Sequence, residues 1–218
     1  MRFLSIMIVD DHPIVRSGLT QLLDQKEEMG MNVVGLAENA KEALACLEKT
    51  KPNFAIIDIS LKGLSGLELI RKIRDVNDSI LILTLSMHDE KLYAERSLKA
   101  GANGYLMKQE DPEKIIEAII SIKNDGIYLS PKIKNSILKN LIKGFNPNEK
   151  SKIDLLSDRE LEVLKKIGNG KSTNDIASEL KLSPKTIETY KEHLKRKLEL
   201  KDKNELLKEA IVYTKVFS

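Results

Sequence analysis

The chain has 218 residues, enough for one large domain or two small ones, and its 41% hydrophobic and 32% charged content is typical of a globular protein. The net charge of +3 is too small to indicate nucleic-acid binding by itself, and the single cysteine, Cys46, excludes an intramolecular disulfide. No segment reaches the roughly 20 apolar residues that cross a bilayer. Acidic side chains follow the start too closely for a signal peptide, so we expect a cytoplasmic protein with no membrane partner.

Strand-like and helix-like patterns alternate five times up to Asn124. Short apolar runs predict buried parallel strands at Ile6–Val9, Val33–Ala37, Phe54–Ile57, Ile80–Leu85 and Gly104–Met107. Helical periodicity predicts helices at Pro13–Gln25, Ala40–Lys49, Gly66–Val76, Lys91–Ala100 and Asp111–Asn124. The apolar stripe expected to face the core in the first helix comprises Ile14, Leu19, Leu22 and Leu23. This alternation indicates a doubly wound α/β domain, and right-handed crossovers favour the flavodoxin-like strand order 2-1-3-4-5.

Polar side chains follow four of these strands, at the ends where ligands bind to an open parallel sheet. Asp10 and Asp11 follow the first strand, Asp58 the third, Ser86 the fourth and Lys108 the fifth. The predicted order makes the first and third strands neighbours, which brings the three carboxylates together. Carboxylate oxygens are the ligands that Mg²⁺ prefers, usually shared with phosphate oxygens.

This set of groups fits phosphoryl transfer better than metal binding alone. An aspartate can act as a nucleophile and form an aspartyl phosphate, while the Lys108 ammonium and a hydroxyl stabilise the transferred oxygens. Taken singly, an Asp after a strand is more often a helix cap, and Lys108 a solvated charge. Thr84 competes with Ser86 for the hydroxyl role, although Ser86 stands at the exit of its strand. We expect His12 to pack against or cap the first helical turn rather than to bind a metal.

The pattern changes after Ser130, and so does the charge. Residues 1–131 carry 16 basic and 20 acidic side chains, whereas residues 132–218 carry 20 basic and 13 acidic ones. A helix is predicted at Pro131–Lys143, followed by a polar linker at 144–152 with a helix-stopping Gly and Pro. We therefore expect an α/β domain over 1–125, a linker with a helix over 126–152 and a small all-α domain over 153–218.

Four short helix patterns occupy this last part, at Asp158–Ile167, from Ser172 to about Leu180, at Ser183–Leu198 and at Asn204–Thr214. The second and third are joined by Lys181 and Leu182, a spacing typical of a helix-turn-helix whose second helix reads the major groove. The side chains of that helix expected to face the core are Ile187, Tyr190, Leu194 and Leu198. From charge alone, the alternative is a solvated amphipathic helix without a DNA partner.

These residues resemble a known family. The segments VDDHPIVRSGL, IIDISLKGLSG, LSMHDEKLYAERSLKAGANGYLMK and LSDRELEVL are similar to two-domain bacterial response regulators of the NarL/FixJ subfamily. The resemblance implies a receiver domain followed by a LuxR-type helix-turn-helix domain, with a histidine kinase as phosphoryl donor. It also implies double-stranded promoter DNA as a partner and a homodimer formed on phosphorylation.

For the receiver domain, the resemblance implies that Asp58 is the phosphoacceptor and that Lys108 pairs with the phosphoryl group. Ser86 would hydrogen-bond to that group, and Tyr105 would be the aromatic side chain whose orientation follows Ser86. The implied Mg²⁺ ligands are Asp11, Asp58 and the backbone carbonyl of Ser60, with Asp10 binding largely through water. Lys62 departs from the family pattern, because members usually carry proline there.

For the second domain, the resemblance implies a DNA-reading surface. Base contacts are implied for Glu188, Thr189 and Glu192, contacts near the DNA backbone for Lys185, Thr186, Lys191 and Lys195, and a further DNA contact for Thr173. Two acidic side chains on the reading face favour base-edge donors such as the cytosine amino group. The fourth helix matches the usual dimerisation helix of this domain type.

Three other functions stay open. A phosphatase with an aspartyl nucleophile would need an acid two residues later, where Ser60 stands. A flavodoxin-like cofactor binder is disfavoured by the 4% aromatic content and the absence of Trp. A DNA-binding protein independent of a kinase would retain the same residues around a vestigial acidic site.

Overall fold

A computed structural model describes residues 3–61, 63–87, 90–142 and 152–216. The chain divides into two units, Met1–Lys139 and Asn140–Ser218. The predicted linker over 144–152 lies outside the described residues except for Lys152, and so does Lys62.

The first unit is built on a five-stranded parallel sheet. Its strands are β1 (Leu4–Val9), β2 (Met31–Ala37), β3 (Phe54–Asp58), β4 (Leu81–Ser86) and β5 (Gly104–Met107). Their order is β2-β1-β3-β4-β5, which confirms the predicted arrangement. β1 and β3 are therefore neighbours, with Val9 opposite Ile57 in parallel register.

Helices cover both faces of this sheet. They are α1 (Pro13–Asp24), α2 (Ala40–Thr50), α3 (Gly66–Val76), α4 (Glu90–Ala100) and α5 (Pro112–Asp125). Because successive strand residues point to opposite faces, each strand contributes to two buried clusters. Met7, Val9 and Ile57 pack with residues of α2, α3 and α4 on one face. Ile8 and Ile56 pack with residues of α1 and α5 on the other.

One predicted core position in α1 is wrong. Ile14 is 87% exposed, whereas Leu19 and Leu23 are buried and Leu22 is partly buried. At about 3.6 residues per turn, a residue five positions before Leu19 falls off the stripe that contains it. Val15, four positions before Leu19, packs against the core instead.

The beginning of α3 lies against the end of β3. Ser65 caps the helix, because its hydroxyl accepts a hydrogen bond from the Glu68 N–H and the Glu68 carboxylate accepts one from the Ser65 N–H. The Gly66 N–H donates to the Ile59 carbonyl at 2.8 Å. A Cβ on residue 66 would lie 2.0 Å from the carbonyl oxygen of Asp58. Glycine therefore lets α3 approach the backbone that carries Asp58.

The chain stays attached to the sheet after α5. Gly126 ends that helix in the left-handed conformation, with φ of 79°. Tyr128 then forms a parallel bridge with Gly104, the first residue of β5. Leu129 and Ile133 are buried in the same cluster as α2, α3 and α4. The helix predicted to follow is confirmed as α6 (Pro131–Ile142).

The second unit contains the four predicted helices, preceded by a short 3-10 turn at Lys152–Leu155. They are α7 (Asp158–Gly168), α8 (Thr173–Leu180), α9 (Pro184–Leu198) and α10 (Lys203–Val216). Ser157, Ser172 and Ser183 cap α7, α8 and α9, each accepting a backbone hydrogen bond from the third helical residue. Among the described residues, no helix combines the length and the hydropathy needed to span a bilayer.

Candidate functional site

Three aspartates converge at the carboxyl ends of β1 and β3. Asp10 and Asp11 directly follow β1, and Asp58 is the last residue of β3. They are 1%, 9% and 2% exposed, respectively. One ligand atom from each of them, together with one from His12, lies within 4.8 Å of the others. The carboxylates meet because their strands are neighbours, as the predicted order requires.

The ammonium of Lys108 bridges two of these carboxylates. Its Nζ lies 2.6 Å from Asp10 Oδ2 and 2.8 Å from Asp58 Oδ2, and its side chain is 8% exposed. Lys108 follows β5, and its N–H donates to the carbonyl of Ser86 at 2.8 Å, which fixes the backbone from which the side chain extends. The structure therefore brings together side chains from the ends of three strands.

Burial and neighbouring charges together shift the pKa values of Asp58 and Lys108. It raises the pKa of Asp58, because the charged carboxylate loses solvation; Lys108 opposes the shift and the charge of Asp10 adds to it. Burial also disfavours the charge of Lys108, but Asp58 and Asp10 prevail and raise the pKa of that ammonium. The cluster holds three carboxylates, of which Asp10 and Asp58 pair with Lys108, so it has an excess of acidic groups that a divalent cation would neutralise.

His12 has a different position from the one expected. It stands at the N-cap of α1, but its side chain makes no capping hydrogen bond. Its Nδ1 lies 2.8 Å from Asp11 Oδ1 and 3.2 Å from Asp10 Oδ1, at the exposed rim of the carboxylates. The expectation that this ring packs against or caps the first turn is therefore wrong. Its place directly after two acidic residues at a strand end was the signal for this contact.

The two candidate hydroxyls, Ser86 and Thr84, are both fully buried. Thr84 lies inside the sheet, opposite Ile57 on one side and Tyr105 on the other. Ser86 lies beyond the Leu85–Asp58 pair, at the edge where the carboxylates meet. Tyr105 is fully buried as well. The strand register thus favours Ser86 as the hydroxyl that reaches the acidic cluster.

The donor set fits Mg²⁺, which takes oxygen ligands and retains several waters. Asp58 Oδ1 is buried in this cluster, and a backbone hydrogen bond from Ser60 acts against the effect of burial by lowering the pKa of Asp58, which favours the charged form that a cation binds. Ser60, whose carbonyl the resemblance assigns to the metal, follows Asp58 by two residues and is partly buried. The chemistry that these groups support is metal-assisted phosphoryl transfer to a carboxylate.

In the second unit, α9 presents most of the side chains expected to contact DNA. The exposed ones are Lys185, Glu188, Thr189 and Glu192, and the partly buried ones are Thr186 and Lys195. Thr186 is engaged in the helix cap, since its N–H donates to Ser183 Oγ at 3.0 Å. Lys195 Nζ pairs with Glu192 Oε1 at 2.9 Å. The exposed face of α9 thus carries both signs of charge.

Two side chains of α9 depart from the expected pattern. Ile187, Leu194 and Leu198 are buried as predicted, but Tyr190 is only partly buried and Lys191 is 8% exposed. Lys191 Nζ lies 2.9 Å from Glu188 Oε1 and donates a short hydrogen bond to Thr173 Oγ1. Thr173 is the first residue of α8, so Lys191 joins the two helices of the helix-turn-helix. Its burial follows from this contact, which no single-helix periodicity reveals.

Comparison with known proteins identifies both halves of the chain. Residues 6–120 match the family described as response regulator receiver domain, and residues 154–210 match the bacterial regulatory proteins of the luxR family. Oxygen regulatory protein NreC of Staphylococcus epidermidis is 35% identical over 213 residues, covering 95% of this chain and 97% of that protein. Response regulator GacA of Pseudomonas protegens is 33% identical over 201 residues, covering 92% of each.

Solved structures agree with these matches. A structure of the RcsB response regulator of Salmonella typhimurium has a TM-score of 0.64 and 27% identity, covering 97% of this chain and 98% of that one. Both matched domains are parts of regulators, which sets aside the phosphatase and the flavodoxin-like cofactor binder. The chain therefore belongs to the two-component response regulators of the NarL/FixJ subfamily, with a receiver domain followed by a LuxR-type helix-turn-helix domain.

Proposed function

We propose that this protein accepts a phosphoryl group on Asp58 from a histidine kinase and, in that state, binds promoter DNA as a dimer. The observation that carries the proposal is the buried cluster of Asp10, Asp11 and Asp58, in which Asp10 and Asp58 pair with the ammonium of Lys108. Two carboxylates bridged by a lysine ammonium at the edge of the sheet suit a phosphoryl group that binds together with Mg²⁺. We place the protein in the cytoplasm, where a kinase and DNA are both accessible.

The transfer uses groups of known position. An oxygen of Asp58 attacks the phosphorus of the phosphohistidine; a P–O bond forms as the P–N bond breaks, and the imidazole leaves with the electron pair. Lys108 neutralises charge on the phosphoryl oxygens, and the Ser86 hydroxyl donates to one of them. Mg²⁺, when bound, supplies further positive charge at these oxygens. Its proposed ligands are Asp11, Asp58 and the Ser60 carbonyl, with Asp10 holding it largely through water.

β5 offers the signal a route out of the site. Phosphorylation adds about −1.5 to −2 charge next to Lys108 and Ser86. Lys108 follows β5, which also contains Tyr105 and begins at Gly104, the partner of Tyr128 in the segment before α6. We infer that a shift of β5 and Tyr105 reaches α6 through this bridge. The proposed domains are the receiver over 1–125, a linker with a helix over 126–152 and the DNA-binding domain over 153–218.

The proposed DNA binding rests on the second unit and on solved structures of a relative. One RcsB structure has the protein bound to the promoter rprA with the phosphomimetic beryllofluoride, and another has two RcsB dimers bound to two parallel DNAs. By analogy, α9 of this chain enters the major groove and two copies bind paired half-sites. α10 presents the exposed apolar side chains Leu207, Ile211 and Val212, which suit contact between two copies.

The proposal is tested with sheared genomic DNA of the source organism. Wild-type protein and Asp58→Asn are incubated with the fragments, with and without beryllofluoride and Mg²⁺, and bound fragments are sequenced. Beryllofluoride should enrich a defined set of sites for the wild type and none for Asp58→Asn. Equal enrichment in all four samples supports a kinase-independent DNA binder, and no enrichment in any of them contradicts DNA binding.

A further inference from the structure

A triad of hydrogen-bonded side chains joins the two helices of the helix-turn-helix. The Thr173 hydroxyl donates to Glu188 Oε1 at 2.8 Å, and Lys191 Nζ donates to the same oxygen at 2.9 Å. Lys191 also donates to Thr173 Oγ1, which closes the triangle. All three residues are among those that the family resemblance assigns to DNA. In this chain they bind one another.

The burial of Lys191 argues against a role at phosphate. Its side chain is 10% exposed, and its ammonium already donates to two protein oxygens. A lysine that neutralises DNA phosphate acts as an accessible point charge. Lys185, six residues earlier on α9, is exposed and has that property. We therefore expect Lys185, and not Lys191, to contact phosphate.

Glu188 is more exposed than Lys191. Its side chain is 56% exposed although Oε1 is held by two donors. Both hydrogen bonds fall on Oε1, and among the described residues none is made to Oε2. The hydrogen bond from Lys191, and then that from Thr173, lowers the pKa of Glu188, so the carboxylate stays charged at neutral pH. The result is an oriented, ionised acceptor on the exposed face of α9.

We propose that Glu188 reads a cytosine in the major groove through Oε2, and that Lys191 and Thr173 are positioning residues for it rather than phosphate contacts. This rests on the proposed DNA-binding function and names its specificity determinant. Cytosine presents an N4 amino donor to the major groove, whereas guanine and thymine present acceptors that repel a carboxylate. Adenine offers its N6 donor beside the N7 acceptor and is therefore less suited.

The test is selection from a randomised duplex library, followed by titration of the selected duplex at several salt concentrations. The experiment compares the wild type with the variants Glu188→Gln, Lys191→Met, Lys191→Arg, Thr173→Val and Lys185→Met. The wild type should select cytosine at one position of each half-site. Glu188→Gln should move that position toward adenine, because an amide pairs with adenine N6 and N7. Lys191→Met and Thr173→Val should reduce the preference for cytosine by roughly tenfold, within the range for one base contact. Lys191→Arg should retain it.

The salt dependence separates positioning from phosphate contact. Lys191→Met should leave the slope of log affinity against log salt unchanged, whereas Lys185→Met should reduce its magnitude by about 1 and leave the cytosine preference intact. The inference is overturned if Lys191→Met reduces the slope as Lys185→Met does while the base preference persists. It is also overturned if Glu188→Gln alters no position. A wild type that binds no duplex contradicts the DNA-binding function itself, and phosphorylation of Asp58 is then judged separately.

Discussion

Lys108 Nζ lies 2.8 Å from Asp58 Oδ2, although the two residues come from the ends of strands separated by β4. The same ammonium lies 2.6 Å from Asp10. Lys108 therefore holds the acidic cluster together before any phosphoryl group arrives. A phosphoryl group on Asp58 would carry new oxygens for the same ammonium, so Lys108 is placed to exchange one anionic partner for another.

Replacing Lys108 with Met should destabilise the receiver domain and increase its dependence on Mg²⁺. Removal of one partner from a buried ion pair costs about 3–5 kcal/mol, because the carboxylates left behind repel each other. A divalent cation relieves this repulsion. Thermal unfolding of the full chain with and without Mg²⁺ measures it, with the exposed Lys41→Met as control. Equal stabilisation of both variants by Mg²⁺ would show that Lys108 does not neutralise the acidic cluster.

Gly66→Ala should reduce both stability and the rate of phosphorylation. Its Cβ would stand 2.0 Å from the Asp58 carbonyl oxygen, so α3 or the backbone of Asp58 must move. Such overpacking costs about 1–3 kcal/mol. Gly18→Ala is the matched control, because Gly18 lies within α1 and, apart from its chain neighbours and the backbone of its own helix, no atom stands within 4 Å of its added Cβ. That variant should be more stable by up to about 1 kcal/mol. Urea unfolding measures the stability, and acetyl-phosphate labelling measures the rate of phosphorylation. A Gly66→Ala protein with the stability and labelling rate of Gly18→Ala would contradict the prediction.

Asn103→Ala should destabilise the first unit, because Asn103 holds the end of the sheet remote from the acidic cluster. Its Oδ1 accepts hydrogen bonds from Ile82 N–H at 3.0 Å and Arg74 Nη2 at 3.2 Å. Its Nδ2 donates to the Gly126 carbonyl at 2.9 Å. Asn103→Ala leaves a buried N–H without this partner, at a cost of about 1–3 kcal/mol. Chemical unfolding should show that loss, while the exposed Asn124→Ala should stay within about 0.5 kcal/mol of the wild type.

Glu160 should make the second unit sensitive to acid. Burial opposes its ionisation, but the hydrogen bonds from Lys197 and Ser157 prevail and lower the pKa of Glu160. The Lys197 Nζ lies 2.6 Å from its Oε2. Because the folded-state pKa lies below the unfolded one, the stabilisation is complete above the ordinary glutamate range and is lost as pH falls through the folded value.

Glu160→Gln should therefore cost about 1.5–3 kcal/mol near neutral pH, the worth of a hydrogen bond to a charged group, and progressively less in acid. Urea unfolding of the full chain across this pH range measures the difference from the wild type. Glu48→Gln, an exposed position, serves as the control. A Glu160→Gln deficit that stays constant down to strongly acidic pH would contradict the assigned shift.

The fold and the acidic cluster were predictable because they depend on chain order. Five apolar runs separated by helices leave few arrangements with right-handed crossovers, and the favoured one places β1 beside β3. Once these strands are neighbours, Asp10, Asp11 and Asp58 must meet at one edge. The family resemblance then names the chemistry that such a meeting supports.

The failures concern side chains whose position depends on a partner from another element. Ile14 was expected in the core, but Val15 takes the place against the sheet and leaves Ile14 exposed. The burial of Lys191 was not expected from the pattern of α9; it follows from the contact of its ammonium with Thr173 of α8. His12 contacts carboxylates on its own loop instead of the helix cap. Hydrophobic periodicity describes one helix at a time and contains no information on such polar contacts between elements.

Phosphorylation of Asp58 is tested most directly by locating the phosphoryl group on the chain. Full-length protein is treated with acetyl phosphate and Mg²⁺, digested, and the modified residue is mapped by mass spectrometry, with Asp58→Asn and a chelator-treated sample alongside. We expect one acyl phosphate, labile to alkali and hydroxylamine, on Asp58 of the wild type and in neither comparison sample. Modification of the Asp58→Asn protein at the wild-type level, or a label that maps to Asp10 or Asp11 in the wild type, would contradict it.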